Sequence, residues 1–324
     1  GCGLMCVAVG SINQRGLLFA AMFAMGAFAS IYHPAGLTLI SLETTPDNRP
    51  RAHGLHGIFG SLGIGLAPLV AWWLIGHGWT WRQYYWLLAV PGLALGATFV
   101  LLDRSDRMRR IDLAPLSAAD SMSEDRADWR SFFTLTILAM MQGFVYSAVM
   151  SFLPRYLTAS GTAAETNSPG NVETATVAAQ TTGMLWASGA LLAGCVGQYL
   201  AGRFAKRSIL EQQLTGVTIA NVPFLLWMAV ADGTQRFIAA ALFALVHFMH
   251  QPIYNTLIAK YSPKSRRSLC YGFSFAMGLG LGSLGATFNG YVVDERVTYG
   301  VLAATSTLAA CLGVTLTAWN YHID

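Results

Sequence analysis

Long uninterrupted apolar blocks alternate with short polar ones along the whole chain. Nine of these blocks run for about twenty residues or more, over 17–42, 55–75, 82–102, 132–156, 177–200, 209–230, 237–259, 270–293 and 298–319. Twenty helical residues span the ~30 Å of a hydrocarbon core. A tenth block, 1–10, has the composition of the end of such a span. Inside lipid every backbone N–H and C=O must be satisfied within the fold, which leaves helices or closed barrels. Barrel strands would alternate polar and apolar positions over about ten residues. These blocks are instead continuous and rich in Leu, Ala, Gly, Phe and Met. The pattern predicts an all-α, polytopic membrane protein.

Composition sharpens the picture. Of 324 residues, 54% are hydrophobic and 11% charged, against about a quarter charged in soluble domains. So few charges could not cover a water-facing surface. The net charge of +4 is spread over many loops, which excludes a nucleic-acid face. Fifteen of the 20 Lys and Arg fall in the loops around 49–51, 104–130, 203–207 and 260–267. The alternate loops hold Arg15, Arg82, Arg155, Arg236 and Arg296. The positive-inside rule turns the basic loops, and with them the C-terminus, toward the cytoplasm. Cys2, Cys6, Cys195, Cys270 and Cys311 all lie in apolar stretches without histidine partners. They read as small buried hydrophobes, with no disulfide and no metal.

Two stretches echo each other. "YHPAGLTLI" at 32–40 aligns with "HQPIYNTLI" at 250–258, an offset of 218 that superimposes Pro34 on Pro252. After a basic loop, Gly57, Gly63 and Gly65 match Gly272, Gly278 and Gly280 at an offset of 215. The pattern predicts a three-residue length change in the intervening loop, where insertions are tolerated. The polar stretch 103–131 has no apolar periodicity and mixes both charge signs, so it reads as a linker. The predicted organisation is a first bundle over 1–102, the linker, and a second bundle of six helices over 132–324. Such a parallel repeat is one of the layouts of secondary transporters. Equating the Pro34 and Pro252 helices as the fourth of each half leaves the first half without its first two helices. Most of its third is also missing, and residues 1–10 are the end of that helix.

Six plus six helices with a central linker resemble the major facilitator superfamily, over the whole chain. Three regions carry the resemblance. "GQYLAGRFAKR" resembles the family's gate loop after the eighth helix through Gly197, Arg203, Lys206 and Arg207, with Gly202 where the family has an acid. The fifth helix is similar to the antiporter pattern at Gly54 and Gly63, ending in Ala67-Pro68. The stretch "GAFASIYHPAG" followed by "RAHGLHGIFGSLGIGLAP" is similar to the fosmidomycin-resistance branch. The resemblance implies alternating-access transport of a small organic solute or drug in a bacterial inner membrane, coupled to protons and running as efflux. An uncoupled facilitator, or a transport-inactive sensor on the same fold, are the other readings. The protein is expected to act as a monomer without cofactors.

The prolines locate a candidate pathway. Pro34, Pro68 and Pro252 lack the N–H their helices need and are predicted to break them. Each freed carbonyl has to face protein or water. His33 and the pair His247/His250 stand beside two of these breaks, and an imidazole exchanges a proton near its ordinary pKa of about 6.5. Gln251 and Asn255 add uncharged hydrogen-bonding groups; Gln142 and Tyr146, four apart, give a polar stripe to another helix. His53 and His56 are expected at the membrane interface. The acids Glu43, Asp103, Asp232 and Asp294 stand at span ends. Histidines without acids or a nucleophile exclude an intramembrane enzyme. Gly54, Gly63, Gly278 and Gly280 are expected to let helices approach closely.

Overall fold

The computed structural model describes residues 1–104, 127–158, 172–292 and 294–320; for 103–104 and 172–180 it describes the backbone alone. Most of the linker, the stretch 159–171 and the tail 321–324 lie outside the described residues. The helices are α1 Cys2–Ser11, α2 Arg15–Ser30, α3 Tyr32–Glu43, α4 Arg49–Gly76, α5 Trp81–Arg104 and α6 Trp129–Thr158, followed by α7 Val172–Phe204, α8 Leu210–Val230, α9 Thr234–Tyr261, α10 Arg267–Phe275, α11 Leu284–Tyr291 and α12 Glu295–Asn320. No strand occurs among the described residues. Nine crossings there are long and apolar enough to span a membrane, two of them built from two helices each.

One of the three prolines breaks its helix. The first crossing is interrupted at Ile31, where the Ile31 N–H turns back to Phe28 O at 3.4 Å. Pro34, in the first turn of α3, has no N–H to give to Ser30 O. Pro68 and Pro252, by contrast, sit inside helices that run on. A proline removes one hydrogen bond, and neighbours can hold the rest of the helix in place. Pro252 is buried, and the Thr256 hydroxyl donates to its carbonyl at 2.7 Å. Near Pro68, the Tyr84 hydroxyl of α5 donates to Ala67 O at 3.1 Å.

A break that the apolar pattern did not predict lies between α10 and α11. Residues Ala276–Gly280 form a π turn and Leu281–Ser283 a 3₁₀ turn. Gly143 of α6 presses against this wall: a Cβ on Gly282 would come within 2.7 Å of the Gly143 carbonyl carbon. The side of this stretch that carries Gly278 and Gly282 is buried against α6.

The buried apolar core belongs mainly to α6–α12, with Leu135, Leu138, Leu214, Phe243 and Leu257 fully enclosed; Leu37 of α3 joins it. Phe19 and Phe23 of α2 and Phe99 of α5 point outward. Cys270 is buried, whereas Cys2 and Cys311 are exposed and Cys6 and Cys195 half-buried; all five are free. The expectation of buried cysteines thus fits one of them, since a greasy exterior in lipid accepts a thiol as readily as a core does.

The two parts of the chain meet along α4 and α7, and again where α3 packs on α10 and α4 on α9. The last two contacts are reciprocal: each broken or proline-bearing crossing lies on the helix that follows its counterpart. Two arginines make the equivalence atomic. Arg49 Nη2 donates to Ser41 O at 2.9 Å and Thr44 O at 3.2 Å. Arg267 Nη2 donates to Ala259 O at 2.9 Å and Ser262 O at 3.5 Å. Every residue of one clamp lies 218 positions from its counterpart in the other. The offset therefore does not change in the loop, and the expected three-residue insertion is absent. Gly54 corresponds to Gly272 and Gly60 to Gly278; the 215 match arose from the abundance of glycine here.

Candidate functional site

The reciprocal packing leaves a cavity of about 400 Å³ between the two parts. His33 and Tyr32 of α3, His56 of α4, Gln142 and Tyr146 of α6, and His247, His250, Gln251 and Tyr254 of α9 line it. The π turn supplies Gly278 and Leu279. No Asp, Glu, Lys or Arg is among the lining residues. The pairs Tyr32–His33 and His250–Gln251, each directly before its proline, are the same two positions at the 218 offset.

Each of the four imidazoles stacks on an aromatic ring. His33 lies parallel to Phe275 at 5.0 Å between centroids, and His56 on Tyr32 at 5.6 Å. His247 stands between Phe243 at 5.0 Å and Tyr146 at 5.8 Å, and His250 on Tyr254 at 5.3 Å. A ring face is attractive to a cation within ~6 Å. His33 Nδ1 and His250 Nε2 are buried with no hydrogen-bond partner among the described residues.

Behind His247 lies a polar network from four helices. Gln142 donates to the Ser306 hydroxyl at 3.2 Å and accepts from the Asn221 amide at 3.2 Å. The same Asn221 nitrogen lies 3.5 Å from His247 Nδ1, and Ser306 donates to Thr218 O at 3.2 Å. Asn221, Ser306 and Thr218 are fully buried. Donation from Asn221 makes Nδ1 the acceptor and leaves the His247 proton on Nε2. Across the cavity, the Gln198 amide donates to Gln251 Oε1 at 2.5 Å, tying α7 to α9. Asn255 stands apart from this lining: its backbone oxygen receives the Tyr271 hydroxyl at 2.6 Å, and its side chain is buried.

Sequence reasoning missed several of these residues. Asn221, Ser306 and Gln198 are single polar residues in apolar helices, and their alignment on facing helices is visible only in three dimensions. Glu211 was also overlooked; it is buried at the start of α8, where it accepts from Tyr261 at 2.5 Å and pairs with Lys260 at 3.1 Å. His56 lines the cavity and His53 is 1% exposed, so both turn toward protein at this end of α4. Their helix turns inward because Gly54 and Gly57 seat it on α7.

The glycines divide. A Cβ on Gly54 would lie 2.6 Å from Gly202 Cα and 2.9 Å from Gln198 O, so α4 and α7 touch there by backbone. Gly278 lies at ordinary contact distance from Ala139, with a Cβ at 3.6 Å from its carbonyl. Gly63 and Gly280 would meet nothing within 4 Å and do not bring helices together here. Their side of the helix is open, so small size is not exploited. In the gate loop, Gly197 packs against the Leu245 backbone, while Arg203, Lys206 and Arg207 are exposed. Gln213 brackets that loop, accepting from Lys206 N at 2.9 Å and donating to Phe204 O at 3.0 Å. Gly202 has a physical reason to depart from the acidic pattern. A Cβ there would lie 2.9 Å from Gly54 Cα and 3.2 Å from Pro50 O, leaving no room for a carboxylate.

Comparison with known proteins follows from this architecture. A sequence model described as Major Facilitator Superfamily matches residues 1–287. A search of curated protein sequences finds no match. Among solved structures, the human organic anion transporter MFSD10 (TETRAN) is similar at a TM-score of 0.66 and 13% identity, covering 96% of this chain and 75% of that one. The E. coli fucose:proton symporter FucP is similar at a TM-score of 0.61 and 14% identity, covering 97% and 82%. At such identities the likeness is one of fold.

Proposed function

Because the chain belongs to the major facilitator superfamily, and has a transporter fold rather than that of an enzyme, we propose that it carries a small organic solute across the membrane by alternating access, coupled to protons and in the direction of efflux. The two bundles 1–102 and 132–324 rock about the cavity, with the basic loops and the C-terminus on the cytoplasmic side of a bacterial inner membrane. The fosmidomycin-resistance branch is the subdivision we assign.

One observation carries the reading: four histidines, each stacked on an aromatic ring, surround one cavity whose described lining holds no carboxylate. Proton-coupled carriers commonly use an intramembrane acid. Stacking on a ring face stabilises an imidazolium by ~0.5–2 kcal/mol depending on desolvation. Histidine exchanges protons in the physiological range. His33 and His250 are the candidate proton carriers, while Gln142, Gln251 and Tyr146 orient the solute. A lining without fixed charge supports an amphipathic or aromatic solute over a permanently charged one.

Inverted membrane vesicles test this. A pH gradient is set up and reported by a quenched acridine dye; fosmidomycin, lipophilic dyes, organic acids and sugars are then added in turn. Antiport predicts dequenching with a subset of solutes, lost in His250→Ala. Solute flux that ignores the gradient would select an uncoupled facilitator, and absence of any flux a sensor.

A further inference from the structure

The coupled reading above requires protons to bias which end of the cavity is open, and one buried histidine outside the cavity is built for that. His53 lies on α4, one turn toward the basic end from His56, and is 1% exposed. Across from it, on α10, stands Tyr271, fully buried, with its hydroxyl 3.4 Å from His53 Nε2 and the rings 6.4 Å apart. At the 218 offset His53 and Tyr271 are the same position in the two repeats, so the equivalent helices reach each other here through these two side chains. The arginines of both clamps, Arg49 and Arg267, lie close to His53.

Hydrogen bonding fixes the state of the ring. The single Tyr271 hydroxyl proton goes to Asn255 O at 2.6 Å. Its oxygen is therefore the acceptor toward His53, which carries its proton on Nε2. Nδ1 is left as a bare acceptor, buried and with no hydrogen-bond partner among the described residues. The titratable and charged groups that face it are Arg49 and His56 of α4 and Arg267 and Tyr271 of α10. Two of these are guanidiniums, and among the described residues no carboxylate acts on the ring. A proton on Nδ1 would create an N–H with nothing to receive it and a third cation beside two. Parting of α4 and α10 relieves both costs, because water then reaches the ring.

We propose that His53 is a proton-binding site whose occupation opens the basic end of the cavity. Proton binding and opening then favour each other, as linkage demands. The proposal rests on the proton-coupled reading, and the test separates the two. Spin labels on Arg51→Cys and Ser268→Cys, both exposed positions, in a protein with its native cysteines replaced, report the distance between α4 and α10 in nanodiscs by double electron–electron resonance. Lowering the pH from 8 to 5.5 is expected to raise the long-distance population several-fold, and His53→Gln to abolish that rise. If the unsubstituted protein ignores pH, the coupled reading itself falls. If it responds and His53→Gln responds equally, coupling stands and the assignment of His53 is overturned. Should His53→Gln not elute as a monodisperse species, Tyr271→Phe decides. Loss of the acceptor is expected to favour the long distance already at pH 8, and an unchanged distribution overturns the proposal.

Discussion

Alanine at Gly54 and at Gly63 should have opposite consequences, although both lie on α4 nine residues apart. Alanine is intrinsically the better helix former by about 1 kcal/mol, a gain both variants share. At Gly63 nothing opposes it, since a Cβ there meets no atom within 4 Å. At Gly54 the new carbon would sit 2.6 Å from Gly202 Cα, against the 3.4 Å at which ordinary contact begins. The shortfall of about 0.8 Å is with backbone, which has no rotamer to change, so α4 and α7 must separate. Overpacking of this kind costs ~1–3 kcal/mol. One kcal/mol moves a midpoint by ~2–4 °C in domains of some 150–250 residues, which puts the two variants ~2–12 °C apart. Thermal unfolding in detergent, followed by intrinsic tryptophan fluorescence, measures this directly. Gly63→Ala should unfold at or above the parent temperature and Gly54→Ala below it. Midpoints that move together, or a more stable Gly54 variant, would refute backbone contact between α4 and α7.

His33→Ala should abolish proton-driven efflux while membrane insertion and monodispersity are retained; efflux unchanged between about pH 5.5 and 8 removes His33 from the pathway. Gln142→Leu takes one partner each from the buried Asn221 amide and Ser306 hydroxyl and should lower stability by ~1–3 kcal/mol. Gln142→Glu, which keeps an acceptor for Asn221, should lose less, and thermal unfolding distinguishes the two. Arg49→Lys and Arg267→Lys should each weaken the protein by a similar amount, because the shorter lysine stem does not carry its nitrogen to the point from which Nη2 reaches both carbonyls. A large effect at one site and none at the other would argue that the clamps are not equivalent.

The membrane class and the nine crossings were legible in the sequence because lipid imposes a continuous apolar run of fixed length on each crossing. His33 and His250 were legible because a proline follows close behind each at the same repeat position. Register was read less well. Glycine is so frequent, with 33 in the chain, that a chance match at 215 outranked the true 218, which rests on two arginines whose partners are backbone carbonyls. The break at 276–283 carried no proline to announce it; it follows from the pressure of Gly143 on a distant helix. Asn221, Ser306 and Gln198 look individually like tolerated polar residues. Their meaning comes from facing one another, and single-helix periodicity does not encode that.

The π turn at Ala276–Gly280 holds one residue more than an α-helical turn would. Such a surplus can migrate along a helix by exchanging one set of backbone bonds for another, leaving the ends where they were. Each step swings a side chain by about 100° around the axis and advances it ~1.5 Å. The wall that offers Gly278 and Leu279 to the cavity thus has a screw-like adjustment of its own.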